Sequence, residues 1–197
     1  MKLVILDRDG TLNLAVDDFV TTPDEWRPQP GALEAVARLN HAGWHVVVAT
    51  NQPGLGRGLF DALALNAIHA KMHRQLAAVG GRIDAVFYCP HTPEEDCQCR
   101  QPAPGLLVQL CERLGVEPAQ AHVVGSNVAH LQAGAAVGAH LHLVCTGKAA
   151  LLAPGVPLPS GYPQGTQVHT DLAAFAATLV PASASNPPPP VLPQGTA

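Results

Sequence analysis

Short aliphatic runs alternate along this chain with segments that repeat apolar residues at helical spacing. The aliphatic runs are 3–6, 45–49, 85–88, 123–124, 140–144 and 168–169, and the helical segments are 31–41, 61–79, 104–114, 128–137 and 172–179. Aliphatic runs without polar alternation are typical of strands that are buried on both faces. The alternation therefore predicts an α/β domain with a mainly parallel sheet.

The charge of the chain excludes several classes of function. Eleven basic and fifteen acidic residues give a net charge of −4. Because proteins that bind nucleic acid carry a basic surface, we expect no nucleic-acid partner. The apolar opening is cut off at Asp7, and no apolar run approaches the roughly 20 residues of a membrane span. We therefore expect a cytoplasmic monomer with no membrane partner.

Composition changes sharply towards the C-terminus. Residues 181–197 hold six of the nineteen prolines and no charged residue. A segment of this kind cannot bury enough apolar surface to form a packed core. We predict one domain over 1–180, followed by a disordered Pro-rich tail over 181–197.

Two carboxylates follow the first predicted strand directly. Asp7 and Asp9 stand two residues apart at its carboxyl end, and Gly10 permits a tight turn after them. Ligands of parallel sheets bind at this edge. One carboxylate can attack phosphorus to form an aspartyl-phosphate, while the other exchanges a proton with the leaving and attacking oxygens. The structural alternative is a helix-cap and turn cluster.

The second predicted strand ends in a further polar block, Thr50-Asn51-Gln52. Its hydroxyl and backbone N–H groups can hold phosphoryl oxygens at the same edge of the sheet. A glycine-rich loop follows, in which Arg57 can bind a second phosphate through two parallel hydrogen bonds. The block favours phosphate chemistry over a cap cluster.

Residues 1–180 resemble the haloacid dehalogenase superfamily of phosphohydrolases, and more narrowly its heptose bisphosphate phosphatases. The resemblance rests on the run Leu-Asp-Arg-Asp-Gly-Thr-Leu-Asn at 6–13, the Thr-Asn-Gln block, the Gly/Arg loop and a cysteine cluster at 89–99. It implies a three-layer Rossmann-like fold of the haloacid dehalogenase type. It also implies removal of the 7-phosphate of D-glycero-D-manno-heptose 1,7-bisphosphate, a small phosphorylated sugar.

The resemblance assigns roles to individual residues. Asp7 matches the family's nucleophile and Asp9 its general acid/base. Mg²⁺ is held in the family by the residue matching Asp7, by the main-chain carbonyl matching Asp9 and by a later aspartate. The expected ligands of substrate and phosphate are Thr11, Asn13, Thr50, Asn51, Gln52, Arg57 and Arg100.

Four residues with metal-ligand chemistry lie close together in the sequence: Cys89, His91, Cys97 and Cys99. They supply one imidazole and three thiolates, which form a closed tetrahedral zinc set with no position left for substrate. We predict a structural Zn²⁺ that pins the loop 92–96, the alternative being a loop of unrelated thiols. Cys111 and Cys145 are read as core residues.

The sequence departs from the family pattern where the family carries charge. The family's lysine after Cys-Arg is Gln101 here, its metal-binding aspartate is Ser126, and a second aspartate one helical turn on is His130. No Asp or Glu occurs anywhere in 118–170. Because Mg²⁺ usually needs carboxylate ligands, we predict a weakened magnesium site. We expect His130 to be a surface imidazole of a helix, with phosphate pairing as the alternative.

Three functions follow. The first is hydrolysis of the heptose 7-phosphate, with activity reduced by Gln101, Ser126 and His130. The second is a weakly active or inactive relative that binds a phosphosugar or a protein partner. The third is a phosphatase for another small ester such as histidinol phosphate, which rests on fold-level analogy.

Overall fold

The computed structural model describes residues 1–16 and 19–181. Its six strands are β1 (Leu3–Leu6), β2 (His45–Asn51), β3 (Ala85–Cys89), β4 (Ala121–Gly125), β5 (His140–Val144) and β6 (Gln167–His169). They pair in parallel throughout, in the order β3-β2-β1-β4-β5-β6. The predicted parallel α/β sheet is confirmed. The predicted tail lies, apart from Pro181, outside the described residues, so the domain boundary at 180 stays a prediction.

Helices cover both faces of this sheet. They are α1 (Ala32–His41), α2 (Pro53–Gly56), α3 (Ala62–Ala78), α4 (Gly105–Leu114), α5 (Val128–Ala136) and α6 (Leu172–Leu179), with 3₁₀ turns at Pro118–Gln120 and Gly147–Ala149. Asp61 caps the N-terminus of α3, since its Oδ1 accepts from the Ala64 N–H at 2.8 Å. The helix α2 lies in the glycine-rich loop that the sequence did not assign to a helix, and Pro53 starts it because its fixed φ suits a first helical position.

The side chains of the strands divide between two buried layers. On one face Val4 and Leu6 pack with α1, α3 and α6, and on the other Leu3 and Ile5 pack with α4 and α5. Every residue of β1 is at most 1% exposed. Burial of alternate residues on opposite faces explains why β1 reads as an unbroken aliphatic run.

The strands β2 and β3, which both lead into polar segments, are longer than the sequence indicates. The strand β2 continues through Thr50 and Asn51, and β3 continues to Cys89, with Asn51 opposite Cys89 in the register. The polar block and the first predicted zinc ligand are therefore fixed by the sheet itself. Among the helices of the described residues, none is both long and apolar enough for a membrane crossing.

A row of imidazoles crosses β4, β5 and β6 on the face that packs against α6. The Nδ1 of His122 lies 2.9 Å from the Nε2 of His142, whose Nδ1 lies 3.0 Å from the Nε2 of His169. The ring of Phe175 covers His142 at a centroid distance of 4.7 Å. Burial, and next the charges of neighbouring imidazoles, lower the pKa of His142 to about 3 and that of His122 to about 4. The row is therefore uncharged near neutral pH.

We expect the midpoint of thermal unfolding to fall as the pH decreases from about 6.5 towards about 4. The unfolded chain takes up protons near the ordinary histidine pKa, whereas the folded row takes them up only near its lowered pKa, so acid favours unfolding. Melting curves across this range test the slope. His142→Leu should flatten it relative to the exposed control His41→Gln, and an equal slope in both variants would contradict the prediction.

Candidate active site

The polar segments converge at the carboxyl edge of the sheet, as the sequence predicts. Asp7 follows β1, Thr50 is the second-last residue of β2, Ser126 follows β4 and Lys148 lies in the turn after β5. These four strands are adjacent in the sheet order, so their carboxyl ends line one side of the molecule.

The carboxyl group of Asp7 is held in a fixed, buried position. The residue is 5% exposed, and its Oδ1 accepts from the Arg8 backbone N–H at 2.9 Å. Burial, and next the negative charge of Asp9, raise the pKa of Asp7 to about 7. The ionised form of Asp7 is therefore destabilised in the absence of a nearby cation, and a bound cation would stabilise it.

Asp9 is half-exposed, and its carboxylate accepts hydrogen bonds from three neighbouring side chains. Its Oδ1 accepts from Asn13 Nδ2 at 3.0 Å and its Oδ2 from Gln52 Nε2 at 2.9 Å, while Arg8 donates to both oxygens. Gln52 Nε2 also donates to Thr50 Oγ1 at 3.1 Å. The side chains of Asn13 and Gln52 therefore orient Asp9 and the Thr50 hydroxyl.

Arg8 and His69 extend this hydrogen-bond network around Asp9. Neither residue was predicted from the sequence as part of the site. The Arg8 side chain is fully buried, and its Nη1 lies 3.1 Å from His69 Nε2 on α3. A guanidinium can only donate, so His69 must accept through a neutral imidazole. Burial, and next the charge of Arg8, lower the pKa of His69 to about 4, in agreement with that role. The one sequence signal for a buried Arg8 is the aliphatic run before it, because that run places a charged residue at the end of a buried strand.

Thr11 and Ser126 join the loop after β1 to the loop after β4. The Ser126 backbone N–H donates to Thr11 Oγ1 at 3.0 Å, and the two hydroxyl oxygens lie 3.3 Å apart. A Cβ at Gly10, whose φ is 83°, would meet Ser126 Oγ at 2.7 Å, and one at Gly147 would meet it at 2.9 Å. Because neither glycine has a side chain, Ser126 Oγ fits against both, and it offers a neutral oxygen beside the loop that carries Asp7.

Gln101 and His130 form a buried neutral pair. Gln101 Nε2 lies 3.0 Å from His130 Nδ1 and 3.4 Å from the Ala49 carbonyl oxygen, and the two residues are 3% and 0% exposed. The expectation that His130 is a surface imidazole is wrong. A Cβ at Gly125 would lie 2.8 Å from the His130 ring. Because Gly125 has no side chain, the ring can pack inward against β4.

The other predicted phosphate ligands are divided between buried contacts and the surface. Asn51 exchanges two hydrogen bonds with the Gln101 backbone, at 2.9 and 3.0 Å. Arg100 donates to the His91 carbonyl oxygen at 3.3 Å. Arg57 is exposed, with its guanidinium 5.9 Å from the centre of the Phe19 ring. Arg57 therefore has an exposed guanidinium, whereas Asn51 fixes the 101 segment.

The four predicted zinc ligands meet in space. Cys89, Cys97 and Cys99 place their sulfur atoms 3.2–3.8 Å apart, and His91 Nδ1 lies 3.5 Å from Cys89 Sγ and 3.2 Å from Cys99 Sγ. Tetrahedral Zn²⁺ with Zn–S bonds of about 2.3 Å places its sulfur ligands about 3.8 Å apart. The spacing and the donor types fit such an ion, so this cluster could hold zinc.

The remaining cysteines lie outside the cluster. Cys111 is buried in the layer of α4, as predicted. Cys145 follows β5 and is half-buried, so it is not a full member of the core. The strand ends one residue before it, where the chain turns towards Gly10.

Comparison with known proteins gives a consistent family. The model of the haloacid dehalogenase-like hydrolases matches residues 13–138. A D-glycero-beta-D-manno-heptose-1,7-bisphosphate 7-phosphatase of Bordetella bronchiseptica is 51% identical over 91% of this chain and 98% of its own length. The Pseudomonas aeruginosa protein of the same name is 46% identical with the same two coverages.

A solved structure agrees with the sequence comparison. The D,D-heptose 1,7-bisphosphate phosphatase of B. bronchiseptica, complexed with magnesium and phosphate, superposes with a TM-score of 0.84 at 50% identity, over 91% of this chain and 98% of that one. The fold and the family predicted from the motifs are confirmed. The chain therefore belongs to the haloacid dehalogenase-like hydrolase family.

Proposed function

We propose that this chain is a phosphatase that removes the 7-phosphate from D-glycero-D-manno-heptose 1,7-bisphosphate. The observation that carries the proposal is the Asp7–Asp9 pair, held at the carboxyl end of β1 by Arg8, Asn13 and Gln52. It is supported by the 51% identity, over 91% of this chain, to a phosphatase that is named for this substrate. A phosphorylated sugar is then the partner of the site.

In the first step an oxygen of Asp7 attacks phosphorus. A bond forms between this oxygen and phosphorus, the bond from phosphorus to the sugar oxygen breaks, and Asp9 gives its proton to that leaving oxygen. The hydrogen bond from the Arg8 N–H fixes Asp7 Oδ1 and leaves Oδ2 to attack. The hydrogen bonds from Arg8, Asn13 and Gln52 hold the Asp9 carboxyl group in position beside the leaving group.

In the second step a water molecule releases the phosphate. Asp9 accepts a proton from the water, whose oxygen attacks phosphorus, and the bond to Asp7 breaks to give inorganic phosphate and the free carboxylate. Asp9 is protonated again for the next turnover. Thr50 presents its hydroxyl at the end of β2, where it can donate to a phosphoryl oxygen in both steps.

The residues at Asp7 fit a magnesium ion, with fewer charges than the family pattern has. Asp7 is a buried carboxylate beside a second carboxylate, a setting that a cation stabilises. The Asp7 carboxylate, the Asp9 main-chain carbonyl and the neutral oxygen of Ser126 or Asn127 would hold the ion. Bound Mg²⁺ supplies positive charge that stabilises the phosphoryl oxygens. With one carboxylate ligand where two are expected, we infer a weakened site.

Release of phosphate from the bisphosphate in the presence of Mg²⁺ tests the proposal. Wild-type protein should release one phosphate and leave the 1-phosphate, while Asp7→Asn should release none, because an amide cannot attack phosphorus. Histidinol phosphate and other sugar phosphates are tested beside it. A preference for another ester would overturn the substrate, and release from none of them, with an active family member in parallel, would favour the phosphosugar-binding alternative.

Arg57 is proposed to bind the second phosphate of the substrate. Its exposed guanidinium lies over Phe19 on the loop next to β2, on the same side as Asp7. Because a charge-assisted pair contributes about 1.5–3 kcal/mol, Arg57→Ala should raise KM for the bisphosphate roughly 10- to 100-fold.

KM for a heptose carrying only the 7-phosphate should not change in Arg57→Ala. The matched control is Arg113→Ala, an exposed arginine in the last turn of α4, at the opposite edge of the sheet. Equal KM increases for both substrates would place Arg57 on the transferred phosphate instead.

A further inference from the structure

Within the described residues, the ends of β1 and β4 and position 101 present no free cation to a phosphate that enters beside Asp7. Arg8 is buried and bound to Asp9, Gln52 and His69. Gln101 is neutral, and its amide nitrogen already faces His130. A phosphate group is a dianion, and phosphoryl transfer depends on positive charge that faces its oxygens. Arg100 donates to the His91 carbonyl oxygen at 3.3 Å, and Arg57 is assigned to the second phosphate of the substrate. The charge must therefore come from another element.

The turn after β5 lies directly on the loop that carries Asp7 and Asp9. Thr146 Oγ1 donates to the Gly10 carbonyl oxygen at 2.7 Å. A Cβ at Gly147 would lie 2.5 Å from Gly10 Cα, and the backbone nitrogen of Lys148 lies 3.7 Å from the position of a Cβ at Gly10. The two glycines allow this contact, and it places the backbone of Lys148 against the loop that follows Asp9.

Lys148 is exposed and forms no ion pair with an acidic residue of the described ranges 1–16 and 19–181. The other two lysines are engaged elsewhere. Lys2 lies over the Trp44 ring at 5.6 Å, before β1, and Lys71 donates to the Pro23 carbonyl oxygen at 2.7 Å.

We propose that the ammonium group of Lys148 binds the oxygens of the phosphoryl group that is transferred to Asp7. The inference deepens the proposed function and rests on it for the identity of the substrate. Lys148 supplies from β5 the charge that Gln101 does not supply from the zinc loop. An exposed lysine on a short fixed turn can meet the phosphate as it enters and remain with it through both steps.

Binding of inorganic phosphate to the whole protein tests this inference without any turnover. Isothermal titration in excess Mg²⁺ should give a dissociation constant roughly 10- to 100-fold larger for Lys148→Met than for wild type. Lys148→Arg, which keeps the charge, should retain most of the affinity. Lys2→Met, a surface lysine at the opposite edge of the sheet, is the matched control and should bind as wild type does.

The outcomes separate the inference from the proposed function. Equal phosphate affinity of Lys148→Met and wild type, or no binding by wild type, would overturn the role of Lys148. If phosphate binds through Lys148 but wild type releases none from the bisphosphate, the inference stands and the proposed function fails. If wild type hydrolyses the bisphosphate and Lys148→Met matches it in both kcat/KM and phosphate affinity, the function stands and the inference fails.

Discussion

Phosphate release is expected to rise about a hundredfold or more when Gln101→Lys, His130→Asp and Ser126→Asp are combined. At about 4 Å and an effective dielectric near 20, one unit-charge contact is worth about 4 kcal/mol before compensation by water. Each 1.4 kcal/mol of transition-state stabilisation is a factor of about ten in rate. The triple variant restores an ammonium group and a metal-binding carboxylate, so a gain of this size follows even if water offsets a large part.

The three changes are needed together because of the contact between Gln101 and His130. Gln101→Lys alone would place a buried ammonium group where its neighbour is an imidazole 3.0 Å away. Burial lowers the pKa of His130 to about 4, and its ring offers no negative charge. The single variant should therefore lose stability and gain no activity, whereas His130→Asp supplies the counter-charge. Ser126→Asp supplies the metal-binding carboxylate, and it depends on Gly10 and Gly147, where a Cβ would lie 2.7 and 2.9 Å from the Ser126 Oγ position.

Kinetics of the single, double and triple variants measure this effect, with Asp7→Asn in each background as the blank. A magnesium titration separates the contributions, because Ser126→Asp should lower the Mg²⁺ concentration at half-maximal rate while the change at 101 should not. A rise in activity from Gln101→Lys alone, or a fall in the triple variant, would show that the native residues act in a way that the buried pair does not explain.

The architecture and the location of the site were predictable from the sequence because both depend on local patterns. Runs such as 3–6 lie at the centre of a sheet covered on both faces, and Asp7 stands directly after one. The carboxyl ends of parallel strands meet at one edge, so Asp7, Thr50 and Ser126 had to converge. Ligand spacing alone identified the cysteine cluster, because a tetrahedral ion requires few residues at short separation.

The contacts that tune the site could not be predicted, because they join distant parts of the chain. Gln101 and His130 are 29 residues apart, and Arg8 and His69 are 61 apart. Helical spacing does not say which face of α5 turns inward when both faces are apolar. The small residue at Gly125 decides it, since the ring of His130 fills the space beside β4. The contact of Asn51 could not be predicted either, because its side-chain amide exchanges two hydrogen bonds with the backbone of Gln101, 50 residues away.

Loss of one zinc ligand through Cys97→Ser should remove the metal and unfold the loop that it holds. Residues 93–96 are exposed, and the loop has few buried apolar side chains of its own. Structural zinc binding contributes on the order of 10 kcal/mol, so the ordered loop depends on it. The loop is tied to the candidate site, since the Gly56 N–H donates to the Pro90 carbonyl oxygen at 3.0 Å and Arg100 follows Cys99 directly.

The expected result is therefore loss of zinc together with a marked fall in the midpoint of thermal unfolding and in phosphate release. Metal analysis of purified protein should find about one zinc per chain in wild type and none in Cys97→Ser, with a chelator producing the same unfolding shift in wild type. Cys145→Ser, a half-buried cysteine outside the cluster, should keep both the metal and the melting midpoint. Wild-type protein that contains no zinc, with Cys97→Ser melting as wild type does, would contradict the prediction and reduce the cluster to unrelated thiols.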